Sequence, residues 1–256
     1  MTEDHRRGAA ARLDRVLVER GLARSRTQAA QWIGEGRVEV GGVVMTKGAV
    51  KVTADQMVAV RPSEGPEYVS RAGHKLAGAL DAFTEISVAD KRCLDAGAST
   101  GGFTDVLLRR GAGEVAAVDV GHGQLVDQLR RDPRVHVFEG VNVRHLDPAS
   151  IGGPAELTVC DLSFISLTLV VEPLARATKP GGDLILMVKP QFEVGAERLG
   201  RTGVVTSEEQ RREAVDGVLA AAERVGLVKR GELRSPLPGQ DGNHEFFLWL
   251  QLVERG

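Results

Sequence analysis

The stretch CLDAGASTGGF, residues 93–103, is the most informative segment of this 256-residue chain. It contains GASTG, which matches the G-x-S-x-G pattern of the turn that carries the nucleophile in serine hydrolases. It also resembles a glycine-rich nucleotide loop, although the full G-x-G-x-x-G pattern is not present. Two interpretations therefore compete: Ser99 is a nucleophile, or the backbone of this loop is shaped to hold a cofactor.

The segments around this loop alternate between strands and helices. A helix is predicted over 72–83, and helical segments separate most of the strands that follow it. Alternation of this kind predicts a doubly wound, mainly parallel β-sheet. The strands are predicted at 92–94, 114–118, 135–138, 156–160, 183–188, 227–232 and 245–252.

Four of the predicted strands lead into a charged residue after an apolar run. Ligands in open α/β sheets bind outside the carboxyl ends of the strands, so this pattern predicts a ligand site at that edge. The topology also disfavours Ser99 as a nucleophile, because a hydrolase needs an earlier strand for its oxyanion loop and only one strand of this sheet, 92–94, precedes Ser99. The four charged residues are Asp95, Asp119, Asp161 and Lys189.

A cofactor fits the loop better. Gly97, Gly101 and Gly102 allow the backbone to pass close to a ligand. Asp119 follows Gly97 by 22 residues, at the end of the next strand, where an acid accepts hydrogen bonds from ribose hydroxyls. With Asp95 just upstream and no dinucleotide pattern, the loop favours a cofactor with an amino-acid end over one with a pyrophosphate.

The N-terminal quarter of the chain differs in charge from the rest. Residues 1–62 contain 11 Lys/Arg and 7 Asp/Glu, whereas the remainder contains 22 and 28. A small basic module joined to an acidic body suggests attachment to a polyanion. We predict a first domain at 1–62, a linker at 63–69 and a second domain at 70–256.

The segment RLDRVLVERGLARSRTQAAQWIGEGRVEVGG, residues 12–42, resembles the small RNA-binding domain named after ribosomal small-subunit protein four. The resemblance implies that its two-helix face presents arginine side chains to RNA. Arginine suits this contact because its planar guanidinium binds phosphate in a bidentate manner. By position, these residues are Arg12, Arg15, Arg24, Arg26 and Arg37.

The composition excludes several classes of protein. The chain is 42% hydrophobic and 27% charged and has no run of 18 apolar residues, so no membrane span is expected. The N-terminus lacks the apolar core of a signal peptide. Cys93 and Cys160 lie in apolar runs and are expected to be buried free thiols in a reducing cytosol. These features predict a cytoplasmic protein without a metal site.

Five motifs resemble the TlyA family and follow in its order: LDAGASTGGFTDVLL, VDVGHGQL, CDLSFISL, LMVKPQFEVG and GNHEFFLWL. The resemblance implies a ribose 2′-O-methyltransferase that takes a methyl group from S-adenosylmethionine and modifies ribosomal RNA, at cytidine, on ribosomal subunits. It implies a class I methyltransferase (Rossmann-like) sheet, mostly parallel with one antiparallel strand. It also implies a catalytic set at Lys75, Asp161, Lys189 and Glu245. The Tyr-Val pair at 68–69 departs from the Trp-Val pair common in the family's linker.

Three further residues are expected to contact this cofactor. Ser99 and Thr100 are expected to donate hydrogen bonds to its carboxylate. Asn142 follows the third strand, where contacts with adenine are expected.

Methyl transfer from a sulfonium to a ribose hydroxyl needs a general base within hydrogen-bond reach of that hydroxyl. A free lysine, with a pKa of about 10.4, is protonated at neutral pH. Burial or a second lysine nearby lowers that pKa. We therefore expect Lys189 to be the base, with Lys75 converging on it. Asp161 is expected to orient the lysine, and Glu245 to position Lys75 or the ribose.

Three other functions compete with this one. A membrane-acting haemolysin, a label that the family has carried, is disfavoured because the chain has no apolar span and no strongly amphipathic basic helix. An RNA-binding ribosome-assembly factor with an inert enzyme domain is disfavoured by the complete set Lys75, Asp161, Lys189 and Glu245. A small-molecule methyltransferase would leave the basic N-terminal module without a purpose.

Overall fold

The computed structural model describes residues 10–34, 36–62, 67–199, 203–239 and 242–253. The chain divides into two compact units, Met1–Glu67 and Tyr68–Gly256. The division therefore lies inside the segment 63–69, which the sequence predicts to be a linker.

The last two residues of that segment pack on the second unit. The backbone N–H of Val69 donates to Oδ2 of Asp105 at 2.9 Å. The Arg109 guanidinium lies over the ring of Tyr68, 5.1 Å from its centroid. Tyr68 also accounts for Gly73, because a Cβ at that position would lie 2.5 Å from the Cβ of Tyr68. The structure thus places the Tyr-Val pair in the second unit.

The first unit packs two helices against short antiparallel strands. Its elements are β1 (Ala11–Arg12), α1 (Leu13–Glu19), α2 (Arg26–Gly34), β2 (Val38–Val40), β3 (Val43–Met45), β4 (Lys51–Val52) and β5 (Val58–Val60). Strand β2 lies between β3 and β5, and β1 pairs with β4. The sequence does not predict β1 and β4, because a two-residue strand shows no periodicity. Leu13, Val16 and Leu17 on α1 are buried against Ala29 and Ile33 on α2.

The second unit contains a seven-stranded sheet. Its strands are β6 (Arg92–Ala96), β7 (Glu114–Asp119), β8 (Val135–Glu139), β9 (Ala155–Cys160), β10 (Thr178–Val188), β11 (Leu227–Arg234) and β12 (Phe246–Leu252). The order across the sheet is β11-β12-β10-β9-β6-β7-β8. Strand β12 is antiparallel to both of its neighbours, β11 and β10. The remaining run across the sheet, β10-β9-β6-β7-β8, is parallel throughout. The predicted sheet, mostly parallel with one antiparallel strand, is confirmed.

Helices cover both faces of this sheet. They are α3 (Arg71–Ala82), α4 (Gly102–Arg109), α5 (Asp127–Arg130), α6 (Val171–Arg176), α7 (Pro190–Glu193) and α8 (Glu208–Arg224). Neighbouring residues of β6 point to opposite faces, so Cys93 belongs to the core beneath α3 and α4, and Leu94 to the core beneath α6 and α8. The Ser207 hydroxyl caps α8 by accepting the N–H of Gln210 at 3.3 Å.

The order of the sheet determines where the functional residues meet. Strands β6, β7, β9 and β10 are parallel, so their carboxyl ends lie along one edge.

Cys93 and Cys160 are buried and free, as expected. No helix among the described residues combines the length and the apolar character needed to cross a membrane.

Candidate active site

The loop after β6 approaches the loop after β9 so closely that glycine is required. Gly97 has φ +91°, and a Cβ there would lie 2.5 Å from the carbonyl oxygen of Asp161. Ser99 also has a left-handed backbone, with φ +48°. Its N–H donates to Oδ2 of Asp119 at 2.8 Å. The neighbouring strand β7 therefore holds the loop in shape through Asp119.

A cavity of about 500 Å³ opens beside this loop, and we call it the Asp119 cavity. Its lining includes Asp119, Ser99, Asn142 and the segment 161–165. The carboxylate of Asp119 accepts two backbone N–H groups, one from Ser99 and one from Gly121 at 2.7 Å. These bonds orient the carboxylate, and each oxygen keeps a second lone pair for a ligand hydroxyl.

Asn142 lies at the rim of this cavity. Its Oδ1 accepts the N–H of Arg144 at 3.0 Å and so caps the short 3-10 helix Val143–His145. Its amide nitrogen has no hydrogen-bond partner in the described part of the chain and can donate to an acceptor in the cavity. This geometry is compatible with the predicted contact with adenine.

A second cavity, of about 190 Å³, is also lined by this loop, and we call it the glycine-loop cavity. Ser99 and Gly97 line both cavities, whereas Thr100 and Gly102 line only this one. Lys189 also lines it. The two cavities thus share the glycine loop, and the second of them reaches the predicted base.

Gly101 has a different reason to be glycine. It has φ +100° and is the N-cap of α4, and a Cβ there would clash with the side chains of Leu125 and Leu129. It lines none of the cavities described here. Backbone conformation and packing thus account for glycine at this position, and contact of Gly101 with a cofactor stays a prediction. Gly102 has a packing role as well, because a Cβ there would clash with the Ser70 hydroxyl.

The sequence predicts that Asp95 contacts the cofactor. In the structure, Asp95 is fully buried and lines none of these cavities. It lies inside β6, one residue before the end of the strand, where side chains enter the core rather than the edge. Thr104 Oγ1 donates to its Oδ2 at 2.7 Å, and its Oδ1 has no partner among the described residues. Burial raises the pKa of Asp95 to about 7. The hydrogen bond from Thr104 opposes this rise, and the negative charge of Asp161 adds to it.

The four predicted catalytic residues form two ion pairs. Nζ of Lys75 lies 2.5 Å from Oε2 of Glu245, and Nζ of Lys189 lies 2.7 Å from Oδ1 of Asp161. Lys75, Lys189 and Glu245 are no more than 9% exposed. Buried charges of this kind persist only when they are paired, so each carboxylate holds its lysine in place.

Both lysines line a third cavity, of about 720 Å³, which we call the Lys75 cavity. Glu245 lines it too, whereas Asp161 faces the two smaller cavities. Lys189 therefore lies at the junction of the glycine-loop cavity and the Lys75 cavity. A group at this junction can reach molecules bound on either side.

Sequence reasoning did not single out two residues of the loop after β9. Ser163 lines all three cavities and accepts a hydrogen bond from Nζ of Lys189 at 2.9 Å. Phe164 is 91% exposed, has φ +65° and pairs with Phe192 at a centroid distance of 5.2 Å. Both lie in the motif CDLSFISL, but only the tertiary structure shows that they face the cavities.

The structure gives no support to Ser99 as a nucleophile. Its hydroxyl pairs with Oε1 of Gln124 at 3.2 Å, not with a histidine. His244 Nε2 instead contacts the Arg234 guanidinium at 2.6 Å. The described residues contain no group of three or more His, Cys, Asp or Glu that could hold a metal ion.

Two of the five predicted RNA-contacting arginines share one buried carboxylate. Asp14 accepts Arg12 at 3.0 Å and Arg26 at 2.9 Å. The guanidinium groups of Arg12 and Arg26 hold the pKa of Asp14 well below its usual range, and Arg12 has the larger effect. The two arginine side chains are 47% and 64% exposed, so their outer faces are open to a partner.

The other three arginines differ in exposure. Arg24 is exposed, and Arg15 is exposed but pairs with Glu19 at 2.5 Å. Arg37 is only 13% exposed, because it pairs with Glu67 and lies over the ring of Trp32. Its guanidinium is occupied inside the unit, so the structure favours a structural role for Arg37 over the predicted RNA contact.

The two-unit architecture agrees with the protein families that the chain matches. Residues 68–252 match the model of the FtsJ-like methyltransferase family, and residues 11–58 match that of the S4 domain. A protein of Mycobacterium tuberculosis named 16S/23S rRNA (cytidine-2′-O)-methyltransferase TlyA is 51% identical over 94% of this chain and 90% of its own length. The chain belongs to the TlyA family. It is therefore a methyltransferase with an N-terminal S4 domain.

Solved structures share the fold of this chain. A candidate hemolysin from Streptococcus thermophilus has a TM-score of 0.76 and 38% identity, over 96% of this chain and 90% of that one. A candidate S-adenosylmethionine-dependent methyltransferase from Listeria monocytogenes, at 15% identity, shares the fold over 70% of this chain and 100% of its own, with a TM-score of 0.52. The resemblance inferred from the five motifs is confirmed.

Proposed function

We propose that this TlyA-family protein transfers a methyl group from S-adenosylmethionine to the ribose 2′-hydroxyl of cytidine in ribosomal RNA, with Lys189 as the general base. The observation that carries the proposal is the position of Lys189, between a cavity lined by the glycine loop and a larger cavity lined by Lys75 and Glu245. The name of the mycobacterial relative supports the choice of cytidine in ribosomal RNA.

The residues around the glycine loop fit the cofactor. The oriented carboxylate of Asp119 would accept ribose hydroxyls, and Asn142 would donate to the adenine. Ser99 and Thr100 line the glycine-loop cavity, where they would bind the amino-acid end. When bound, S-adenosylmethionine supplies an electrophilic methyl group on a sulfonium, and the C–S bonding pair remains on sulfur.

Lys189 would act on the other reactant. In its neutral form, Nζ accepts the proton of the 2′-hydroxyl and becomes an ammonium, so the oxygen gains nucleophilic character as that proton leaves. Asp161 holds Nζ at 2.7 Å and stabilises the cation that forms. The ion pair of Lys75 with Glu245 lines the wall on which the ribose would rest.

Other features of the molecule suit an RNA substrate. The exposed ring of Phe164 offers a face on which an unpaired base can stack. The exposed arginines of the S4 domain would contact phosphates. A small-molecule substrate would need neither of them.

The test is to map methyl groups on ribosomal RNA. Purified protein, tritiated S-adenosylmethionine and ribosomal subunits from cells that lack the protein should give labelled RNA. The labelled nucleotides should resist alkaline cleavage on their 3′ side, because a 2′-O-methyl group blocks the attacking hydroxyl. Label on a base, or no label in RNA, would contradict the proposal. Leakage from lipid vesicles without cofactor would instead support the haemolysin alternative.

A further inference from the structure

We propose that Ser163 is a positioning residue that directs the lone pair of Lys189 toward the substrate hydroxyl. This inference rests on the proposed function of Lys189 as a base. Its basis is the contact between Nζ of Lys189 and Oγ of Ser163 at 2.9 Å, together with the place of Ser163 at the meeting point of all three cavities.

The valence of the amine explains why a second acceptor matters. A neutral lysine amine has two N–H groups and one lone pair, whereas the ammonium has three N–H groups. Oγ of Ser163 accepts a hydrogen bond from Nζ at 2.9 Å, and Oδ1 of Asp161, the ion-pair partner, lies 2.7 Å from the same nitrogen. When the neutral amine donates one N–H to each, the lone pair takes the remaining direction. Lys189 lines both the glycine-loop cavity and the Lys75 cavity, and in the proposed arrangement the lone pair is directed into this space.

Asp161 alone would not impose this direction. With a single acceptor, the amine can rotate about its Cε–Nζ bond and present either an N–H or the lone pair to the ribose. The second acceptor removes that rotation. The same two oxygens accept from the ammonium after proton transfer, so the 2′-hydroxyl proton can move to Nζ without rearrangement of the amine.

The loop that carries Ser163 is held in place by a residue that follows Lys189 in the chain. Glu193, four residues after Lys189, accepts the Ser166 hydroxyl at 2.5 Å and the N–H of Leu167 at 2.8 Å. The carboxylate therefore ties the segment after β9 to the segment after β10. Ser163 is exposed, and without its hydroxyl Nζ of Lys189 keeps the ion pair with Asp161, so Ser163→Ala is not expected to disturb the fold.

The test compares Ser163→Ala and Ser163→Thr with the wild type. Single-turnover methyl transfer to ribosomal subunits should slow about 10- to 100-fold in the alanine variant, because it loses a hydrogen bond to a group that becomes charged. Cofactor affinity by calorimetry and KM for the subunits should stay within about threefold. Threonine keeps a hydroxyl at the same position and should recover most of the rate. Ser150→Ala, an exposed serine outside the cavities, is the matched control and should be unchanged.

A second measurement needs no turnover. In cofactor-free protein with 13C-labelled lysine, the Cε–Hε signal of Lys189, identified by its loss in Lys189→Arg, should move in Ser163→Ala and not in Ser150→Ala. An unchanged signal, or a Ser163→Ala rate within threefold of wild type, overturns the role of Ser163. An inactive wild type, or an active Lys189→Ala, would instead overturn the proposed function, so the two failures are distinguishable.

Discussion

The two units bring opposite charges together in opposite ways. In the methyltransferase unit, Lys75 and Lys189 are buried, and each has its own carboxylate. In the S4 unit, the carboxylate of Asp14 is buried and holds two exposed guanidinium groups, those of Arg12 and Arg26. The first arrangement is neutral, and the second has an excess positive charge on the surface.

The difference follows from what each cation is proposed to do. A base must be able to lose its proton, which lysine can do and arginine cannot. The paired carboxylate stabilises the ammonium that the base becomes once it has accepted a proton. A phosphate contact needs a permanent, planar, exposed cation, which arginine supplies. One shared aspartate orients two arginines without cancelling both charges.

The largest expected effect is at Lys189. Lys189→Ala and Lys189→Arg should each reduce methyl transfer at least about 10³-fold, because neither side chain can accept a proton at neutral pH. Binding of cofactor and RNA should persist. Lys179→Ala, near the start of β10 and 47% exposed, is the control, since Lys189 follows the other end of that strand. Substantial turnover by either Lys189 variant would mean that another group is the base.

Asp95 tests a third arrangement, a buried carboxylate without a cation. Its folded-state pKa of about 7 exceeds the ordinary value of about 3.9, so its contribution to stability is complete below about pH 4 and is lost as the pH rises through about 7. Between pH 5 and pH 8 the wild type should lose on the order of 2–3 kcal/mol more unfolding free energy than Asp95→Asn.

Urea denaturation at the two pH values measures this difference. Asp81→Asn, in which an exposed carboxyl changes, should behave as the wild type does. Equal pH dependence in wild type and Asp95→Asn would show that burial does not disfavour the charged form of Asp95.

Substitution of Asp119 tests whether a carboxylate at the carboxyl end of a strand binds a ligand rather than a cationic side chain. Asp119→Ala should weaken S-adenosylmethionine binding tenfold or more, because hydrogen bonds to a charged acceptor are each worth roughly 1.5–3 kcal/mol. Calorimetry would measure the affinity. Asp127→Ala, at an exposed position outside the cavities, is the matched control. An unchanged affinity in Asp119→Ala would place the cofactor elsewhere.

The smallest expected effects concern single arginines of the S4 unit. Arg26→Ala should weaken binding to ribosomal subunits a few-fold and reduce the slope of log affinity against log salt by about one. Arg131→Ala removes a charge of the other unit that is 80% exposed, against 64% for Arg26, and should leave the slope unchanged. Deletion of residues 1–62 removes 11 of the 33 Lys/Arg and should reduce both affinity and slope further. Equal slopes for all of these proteins would contradict the proposed role of the S4 unit.

Much of the methyltransferase unit could be predicted because long strands and helices leave clear periodic patterns. The sequence predicts six of the seven strands of the large sheet to within two residues of their observed bounds, whereas β10 begins at Thr178, five residues before its predicted start at 183. The short elements β1 and β4 were not, because two residues carry no periodic signal. The strand-end residues Asp119, Asp161 and Lys189 lie at the predicted edge, since parallel strands bring their carboxyl ends together whatever the loops do.

The sequence by itself determined the alternating architecture, the basic N-terminal module, and the residue types at the strand ends, since each is a local property of the chain. Only the tertiary structure decided which of these residues meet. Lys75 and Glu245 are 170 positions apart and form an ion pair only because α3 and the start of β12 converge. Asp95 and Gly101 look like ligand residues in the sequence but enter the core and a helix cap, because their place depends on packing. Ser163 touches Lys189 for the same reason: the contact joins two loops, and no local pattern records it.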